Sequence, residues 1–497
     1  MTKLRAEATE KDSGAKHVSF PPDEEIVSGF AEFADRQRTD GRFTVADIVS
    51  AYEQSCVKHQ VEPNRKALEQ VKLVATPGTR TGCLDLRGER LDYHSCESLE
   101  EILKFVQFDS INLEDAELQE NGAASLLEMI LYYESACQLN VSANALGTTG
   151  WAALSHLARQ SSCLWRLDAC SMPLVEFPAQ ALSKALVSSR LRVLHLEKAS
   201  LSGRPLFTLA SGVYLIFWGR SAAPRASPWG AQLLIIAIDL WGPDCGSSLR
   251  RTVDSPKSIQ RSPHLVPTVP DGSVAIPGAA HSGLIKSDTL ISGDSMGTLK
   301  KNAVLEELGL GDNDLNSYQD SMQLGELLKN NRSLRSLDLS HNLIGDGGLE
   351  EICEGLMSQQ SGLKSLVLLN NQITHAGMQS MANVLPHLKT LENVKLDQNK
   401  VQNEGIHILK ESLMRNRSIL SLGLADTHIT CEGAVALAEF IAESPQIRHV
   451  DARRNAILCG GLMAVSLALR INVSLVALDL DPTAKPEQGP GKHGGTT

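Results

Sequence analysis

LRSLDLSHNLI, residues Leu334–Ile344, has the form L-x-x-L-x-L-x-x-N-x-I. The same frame returns downstream as LKSLVLLNNQI, LENVKLDQNKV, ILSLGLADTHI and IRHVDARRNAI. Alternating apolar positions of this kind are typical of a short strand with one buried face. Helical spacing of apolar residues follows each strand, as at Leu349, Ile352 and Leu356. The stretch therefore predicts a repeated unit of one strand and one helix.

The second framework position of this unit, Leu337 in the stretch quoted above, serves as its marker. Twelve such markers occur along the chain. These marker residues are Leu84, Ile111, Leu139, Leu167, Leu194, Leu308, Leu337, Leu366, Val394, Leu422, Val450 and Leu478. Neither the strand nor the helix buries its apolar face alone, so the copies are expected to stack into a solenoid. The pattern is that of leucine-rich repeats. The long helical unit resembles the ribonuclease-inhibitor-like subclass, which implies an α/β horseshoe of about twelve repeats.

Two further positions recur in the repeat: a polar one, occupied by Asn, and a small one, occupied by Gly. An Asn follows six of the twelve strands, and we expect its side chain to point inward and bind backbone groups that leave the sheet. The Asn residues are Asn144, Asn313, Asn342, Asn371, Asn399 and Asn455. A Gly introduces each helix, as in CEGA and CGGL, and is interpreted as permitting a tight bend of the backbone.

The marker spacing fails once, between Leu194 and Leu308. The segment between Val213 and Leu299 has no such frame and is rich in Pro, which favours a disordered insertion in the helix of the fifth repeat. Two helical stretches precede the first repeat, the second opening with Pro63 in its first turn, and are expected to cap the array. The predicted order is a disordered arm at 1–40, a helical cap at 41–80, repeats at 81–212 and 300–480, the insertion at 213–299 and a disordered tail at 481–497.

Composition narrows the class of protein. The 497 residues include 58 acidic and 47 basic side chains, with no basic stripe, so nucleic acid is not expected as a partner. The start of the chain has no signal-peptide core, and no apolar run is long enough to cross a bilayer. We expect an intracellular protein, cytoplasmic or nuclear, without a membrane partner. Four N-x-S sequons, at Asn140, Asn331, Asn416 and Asn472, are then either chance or structural.

Motifs for catalysis or metal binding are absent from the sequence, so an enzyme and a cofactor are not expected. Several strands carry an Asp between framework leucines, on the face expected to be concave. These are Asp85, Asp168, Asp338, Asp451 and Asp479, and the same position holds Asn112, His195, Val367 and Lys395 in other strands. This alternation favours a solvated, mixed-charge binding surface for a further protein over a row of metal ligands.

The polar arm contains KHVSF, with Lys16, His17, Val18, Ser19 and Phe20. It fits K/R-x-V/I-x-F/W, the docking motif read by the catalytic subunit of protein phosphatase 1. In an extended peptide Val18 and Phe20 project from one face, so both can enter apolar pockets beside a sheet edge. A phosphate on Ser19 would place negative charge between the two anchors, so Ser19 is predicted to be a phosphorylation switch that weakens docking.

KFVQF, at Lys104–Phe108, matches the same expression. Phe108 is a framework position of the second repeat and Val106 precedes it, so this copy is expected to be structural. Sequence after the first copy continues the docking pattern: the apolar pair Ile26 and Val27 comes first, then Arg36. Regulators of the phosphatase resemble this arrangement.

KHVSFPPDEEIVSG followed by such an array resembles the leucine-rich-repeat regulatory subunits of protein phosphatase 1. The resemblance implies a non-catalytic subunit that binds the phosphatase and inhibits or redirects it. Two alternatives have similar repeats: a GTPase-activating protein like that for Ran, and a plain scaffold or ribonuclease inhibitor. A long acidic tail is usual in the first alternative and does not follow Leu480, and the second would not need the arm.

Overall fold

The repeats form one parallel sheet in a computed structural model of the chain, which describes residues 44–74, 79–211, 299, 302–359 and 361–481. Twelve strands among these residues pair in sequence order. They are β1 Thr81–Asp85, β2 Phe108–Asn112, β3 Ala136–Asn140, β4 Arg166–Asp168, β5 Val193–His195, β6 Glu307–Gly309, β7 Ser336–Asp338, β8 Ser365–Val367, β9 Asn393–Lys395, β10 Ser421–Gly423, β11 His449–Asp451 and β12 Ala477–Asp479.

Helices follow the strands and pack against one another in the same order. They are α1 Val45–His59, α2 Arg65–Lys72, α3 Tyr93–Ser98, α4 Glu100–Phe105, α5 Glu120–Tyr133, α6 Gly147–Gln160, α7 Glu176–Leu186, α8 Arg204–Ser211, α9 Tyr318–Asn330, α10 Gly345–Ser358, α11 Gly377–Val384, α12 Gln402–Arg415, α13 Cys431–Glu443 and α14 Cys459–Ile471. A 3-10 turn, Leu385–His387, continues α11. One strand and a helical segment per unit confirm the α/β leucine-rich-repeat fold.

The strand register confirms the repeat frame residue by residue. Each marker residue lies opposite the marker of the next strand, from Leu84 beside Ile111 to Val450 beside Leu478. The pairing continues across the irregular interval, where Leu194 of β5 lies beside Leu308 of β6. The helical wall is also as predicted, since Leu349, Ile352 and Leu356 are at most 1% exposed.

The strand-end asparagines bind backbone groups, as expected. Asn342 is fully buried, and its Oδ1 accepts hydrogen bonds from the backbone N–H groups of Asn313 and Leu315. Its Nδ2 donates to the carbonyls of Leu310 and Leu339. The amide therefore joins its own repeat to the preceding one, where the backbone has left the ladder. The tenth repeat has Thr427 at this position, whose hydroxyl donates to the carbonyl of Leu424.

A second row of asparagines lies where helices end, and sequence reasoning left its role open. Asn331 and Asn416 follow α9 and α12 and are buried. Asn416 Nδ2 donates to the carbonyls of Leu385 and Leu388, and its Oδ1 accepts from the backbone N–H of Ser418. The N-x-S pattern at these sites, and at Asn472, is therefore structural, because the Asn binds the preceding repeat and the Ser closes the turn.

The interpretation of the helix glycines as bend residues holds at Gly345, the first residue of α10, whose φ is 65°, but not at Gly433. Gly433 lies within α13, and its backbone is not in the left-handed region. A Cβ atom at Gly433 would lie 2.6 Å from Asn403 Oδ1 and 2.9 Å from Ile429 Cγ2. The residue is small because neighbouring turns approach closely there, not because the backbone bends.

Two helices cover the start of the array. α1 packs against α3 and α4, and α2 packs against β1. The sequence predicted Pro63 in the first turn of α2, and this prediction was wrong. Asn64 is the N-cap, since its Oδ1 accepts from the backbone N–H of Ala67 at 2.9 Å, so Pro63 precedes the helix.

The irregular interval falls in the helix of the fifth repeat, as predicted. α8 is described to Ser211, and Leu299 is again helical and 1% exposed. Leu299 is the only described residue of the predicted insertion at 213–299, and the predicted arm at 1–40 and the tail after Asp481 also lie outside the described residues. The boundaries of these three segments stay predictions.

Candidate functional site

All predicted phosphatase-docking residues lie outside the described part of the chain. They are Lys16, His17, Val18, Ser19, Phe20, Ile26, Val27 and Arg36. The structure therefore brings none of them together. What it does define is the second match to the docking pattern and the predicted concave face.

The second match, KFVQF, is part of the core. Val106 is 0% exposed and Phe108, the first residue of β2, is 1% exposed. The Phe108 backbone N–H donates to the carbonyl of Ser135 in the next repeat. Val106 and Phe108 can enter pockets of another protein only if the second repeat unfolds. The structural interpretation of this copy is confirmed.

The predicted concave face is a single row of side chains across the sheet. The row, one residue after each marker, is Asp85, Asn112, Asn140, Asp168, His195, Gly309, Asp338, Val367, Lys395, Gly423, Asp451 and Asp479. We call this row and the residues beside it the concave face. No group of three His, Cys, Asp or Glu side chains placed to hold a metal ion occurs among the described residues.

One ionic cluster on the concave face centres on His195. Its Nδ1 lies 2.8 Å from Asp168 Oδ1, and its Nε2 lies 3.0 Å from Glu307 Oε1. Arg166 Nε lies 3.0 Å from Asp168 Oδ2. The Asp168 carboxylate, with help from Glu307, raises the pKa of His195 against the effect of burial. Burial opposes ionisation of Asp168, but hydrogen bonds from His195 and Arg166 lower its pKa overall.

A recess of about 300 Å³ lies near the other end of the concave face. Three small residues of the tenth repeat, Ser421, Gly423 and Ala425, are part of its lining. Asp397 borders it, only 8% exposed, with Oδ1 accepting from the backbone N–H of Ala425 at 2.7 Å. Burial, together with the charge of Asp451, raises the pKa of Asp397. We call this the Gly423 recess.

The far wall of the Gly423 recess carries paired charges. Arg453 donates through Nε and Nη2 to the two carboxylate oxygens of Asp451, at 2.9 and 2.6 Å. These hydrogen bonds lower the pKa of Asp451. His449 Nε2 lies 2.9 Å from Asp479 Oδ2. These polar contacts and the Arg453–Asp451 ion pair give a polar surface, which suits recognition of a polar protein surface.

Among the described residues, no helix combines the length and the apolar character that crossing a membrane requires.

Comparison with known proteins finds relatives of this chain in several animals. A sequence model described as Leucine Rich repeat matches residues 330–353. The chain is 43% identical over 382 residues, 76% of its length, to "Protein phosphatase 1 regulatory subunit 37" of Bos taurus. It is 30% identical over 390 residues to the "Protein phosphatase 1 regulatory subunit 37 homolog" of Caenorhabditis elegans. The matches span 42% and 32% of these relatives, less than half of their length.

Among solved structures, the yeast Rad7 and Elc1 complex is similar with a TM-score of 0.41 and 12% identity. That match covers 79% of this chain and 76% of the matched chain.

Proposed function

This chain is a leucine-rich-repeat protein related over 76% of its length to protein phosphatase 1 regulatory subunit 37, and we propose that it is a non-catalytic regulatory subunit of that phosphatase. The relationship is the observation that carries the proposal. The chain binds the catalytic subunit through its N-terminal arm and inhibits or redirects its activity.

The docking segment is KHVSF, residues 16–20. Two observations support this assignment. The other match, KFVQF, has its two apolar anchors buried in the second repeat. The arm is also polar around Val18 and Phe20, so these side chains have few apolar partners nearby in the sequence. Ile26, Val27 and Arg36 extend the contact along the surface of the phosphatase.

Binding follows the physics of an extended peptide that adds to a sheet edge. Burial of the Val18 and Phe20 side chains in apolar pockets contributes roughly 1.5 to 3 kcal/mol each. Ordering the segment costs part of this energy. Removal of both side chains should therefore raise the Kd for the phosphatase by at least about tenfold.

The direct test is a binding measurement with purified catalytic subunit and the variant Val18→Ala/Phe20→Ala. The chain offers a matched control in Val175 and Phe177, which have the same spacing and are 56% and 47% exposed. They differ from the arm motif because Pro173 stands where the motif needs a basic residue. Val175→Ala/Phe177→Ala should bind as the unchanged protein does.

Equal binding by the arm variant and the unchanged protein would overturn the docking assignment. Absence of binding by the unchanged protein would overturn the regulatory function itself and favour a scaffold. An activity assay with the bound phosphatase then separates inhibition from redirection towards particular substrates.

The concave face is proposed to hold a further protein. It carries paired charges, such as Asp451 with Arg453, and the Gly423 recess is a depression that a protruding side chain of a partner can enter. Replacement of Asp451 and Arg453 together by Ala and Gln would remove the recess wall. Recovery of co-purifying proteins by this variant and by the arm variant separates partners of the face from partners of the phosphatase.

A further inference from the structure

Asp397 of the Gly423 recess is a buried carboxylate that accepts a hydrogen bond from only one other described residue. It is 8% exposed. Its Oδ1 accepts from the backbone N–H of Ala425 at 2.7 Å, and no other described residue donates to Oδ2. An ionised carboxylate can accept about four hydrogen bonds. Most of the hydrogen-bonding capacity of this buried group is therefore unused.

The free oxygen of Asp397 lies on the side of the recess. A Cβ atom at Gly423 would overlap Asp397 Oδ2, so this oxygen lies over the backbone of β10. Gly423 is part of the lining of the recess, whose volume is about 300 Å³. The carboxylate thus takes the place that a side chain at position 423 would fill, and Oδ2 borders the open volume.

The charged neighbours of Asp397 are bound elsewhere. Arg453 donates through Nε and Nη2 to the two carboxylate oxygens of Asp451, and His449 contacts Asp479. No Lys, Arg or His of the described residues forms an ion pair with Asp397. The recess is lined by one carboxylate more than its Lys and Arg side chains, namely Asp397, Asp426, Asp451 and Asp479 against Lys395, Arg453 and Arg454.

A carboxylate in this position is unfavourable without a positive partner. Removal from water disfavours the charged form unless hydrogen bonds or an opposite charge replace the lost hydration. Burial and the charge of Asp451 raise the pKa of Asp397, in agreement with this cost. A cation in the recess would lie beside Oδ2 and would offset both effects.

We propose that the Gly423 recess binds a basic side chain, of lysine or arginine, from the protein partner of the concave face, with Asp397 Oδ2 as its acceptor. The inference rests on the proposed function, because it assigns a chemistry to the partner proposed there. A charge-assisted hydrogen bond is roughly twice as strong as a neutral one. Asp397 is therefore a specificity residue, since an acidic or apolar side chain in the recess would leave the buried carboxylate without a partner.

The test uses short peptides in place of the partner. The full chain is isotopically labelled at glycine and alanine, and NMR follows the amide signals of Gly423 and Ala425. The probes are blocked tripeptides with arginine, lysine, citrulline or glutamate between two glycines. Citrulline has nearly the shape of arginine and no charge. The arginine and lysine peptides should shift both signals saturably, and the citrulline peptide should bind at least about tenfold more weakly than the arginine peptide.

Asp397→Asn keeps the shape of the side chain and an oxygen for the N–H of Ala425, but removes the charge. It should weaken binding of the arginine peptide by at least about tenfold. The matched control is Asp312→Asn, the same change at an exposed position, which should leave binding unchanged. The comparison of arginine with citrulline on the unchanged protein does not depend on the folding of any variant.

Three results would overturn the proposal: no saturable shift at Gly423 and Ala425 with either basic peptide up to about 50 mM, equal binding of the arginine and citrulline peptides, or equal binding by Asp397→Asn and the unchanged protein. The measurement needs neither the phosphatase nor a partner protein. Such results would remove the basic side chain alone, whereas failure of the concave face as a binding surface would appear as unchanged co-purification by the Asp451 and Arg453 variant.

Discussion

His195 Nε2 lies 3.0 Å from Glu307 Oε1, although 112 positions separate the two residues in the sequence. The contact exists because β5 and β6 are adjacent in the sheet, with Val193 opposite Glu307. The fifth and sixth repeats are thus neighbours on the concave face, and the intervening sequence does not interrupt the side-chain network across it.

This network makes the stability of the repeats depend on pH. The pKa of His195 is raised by Asp168 and Glu307, so protonated His195 stabilises the fold. That stabilisation is complete below the unfolded pKa of about 6.5 and is lost as the pH rises through the higher folded value. His195→Gln should lower the free energy of unfolding by roughly 1.5 to 3 kcal/mol at pH 5.5 and by less at pH 8.5.

Urea unfolding at the two pH values measures this difference. His387→Gln is the matched control, because His387 is exposed and its replacement should cost little stability. A cost for His195→Gln that is equal at both pH values would contradict the charged interaction.

Loss of a strand-end asparagine should be costly. Asn342→Ala removes two accepted and three donated hydrogen bonds and leaves the N–H groups of Asn313 and Leu315 without that acceptor. We expect a loss of roughly 2 to 4 kcal/mol, because several buried polar groups lose a partner. The Asn342→Ala variant is compared by thermal unfolding with Asn383→Ala, a change at an exposed helix position. A shift no larger than that of the control would argue against the role of the amide.

Gly423 should not tolerate a methyl group. A Cβ atom there would overlap Asp397 Oδ2, so Gly423→Ala must displace the carboxylate and strain the hydrogen bond that it accepts from the backbone N–H of Ala425. We expect a loss of about 1 to 3 kcal/mol, as for other cases of overpacking. Gly347→Ala is the control, since no atom lies within 4 Å of a Cβ at that position. Denaturant titrations that rank the two variants equally would show that Asp397 can move freely.

The two matches to the docking motif should respond differently to mutation. Phe108→Ala removes a buried ring and should cost roughly 3 to 5 kcal/mol of stability. Phe20→Ala should leave the melting temperature unchanged and weaken phosphatase binding. Differential scanning calorimetry with a parallel binding assay checks both statements. A large loss of stability in Phe20→Ala would mean that the arm packs on the repeats.

A negative charge between the docking anchors should weaken binding. Ser19→Asp places a carboxylate between Val18 and Phe20, next to the apolar pockets of the phosphatase that these side chains are proposed to enter. We expect a higher Kd for the phosphatase than with Ser19→Asn, which has nearly the same shape and no charge. Equal affinities for the two variants in a titration would remove Ser19 as a switch.

The sequence alone determined the repeat frame, since one apolar period repeated over the chain leaves few ways to bury both strand and helix. It therefore predicted every marker pairing, including Leu194 with Leu308, and the buried state of Phe108. It also predicted that the strand-end asparagines bind backbone groups.

Only the tertiary structure decided which of the remaining polar and small residues meet. Asp397 beside Gly423 and the triad of His195 with Asp168 and Glu307 both depend on contacts between repeats. Such contacts join residues that lie about one repeat or more apart in the sequence. The repeat pattern does not specify which side chains of neighbouring repeats contact each other. Burial, hydrogen bonds and nearby charges together decide the direction of each pKa shift, and all three are set by those neighbours.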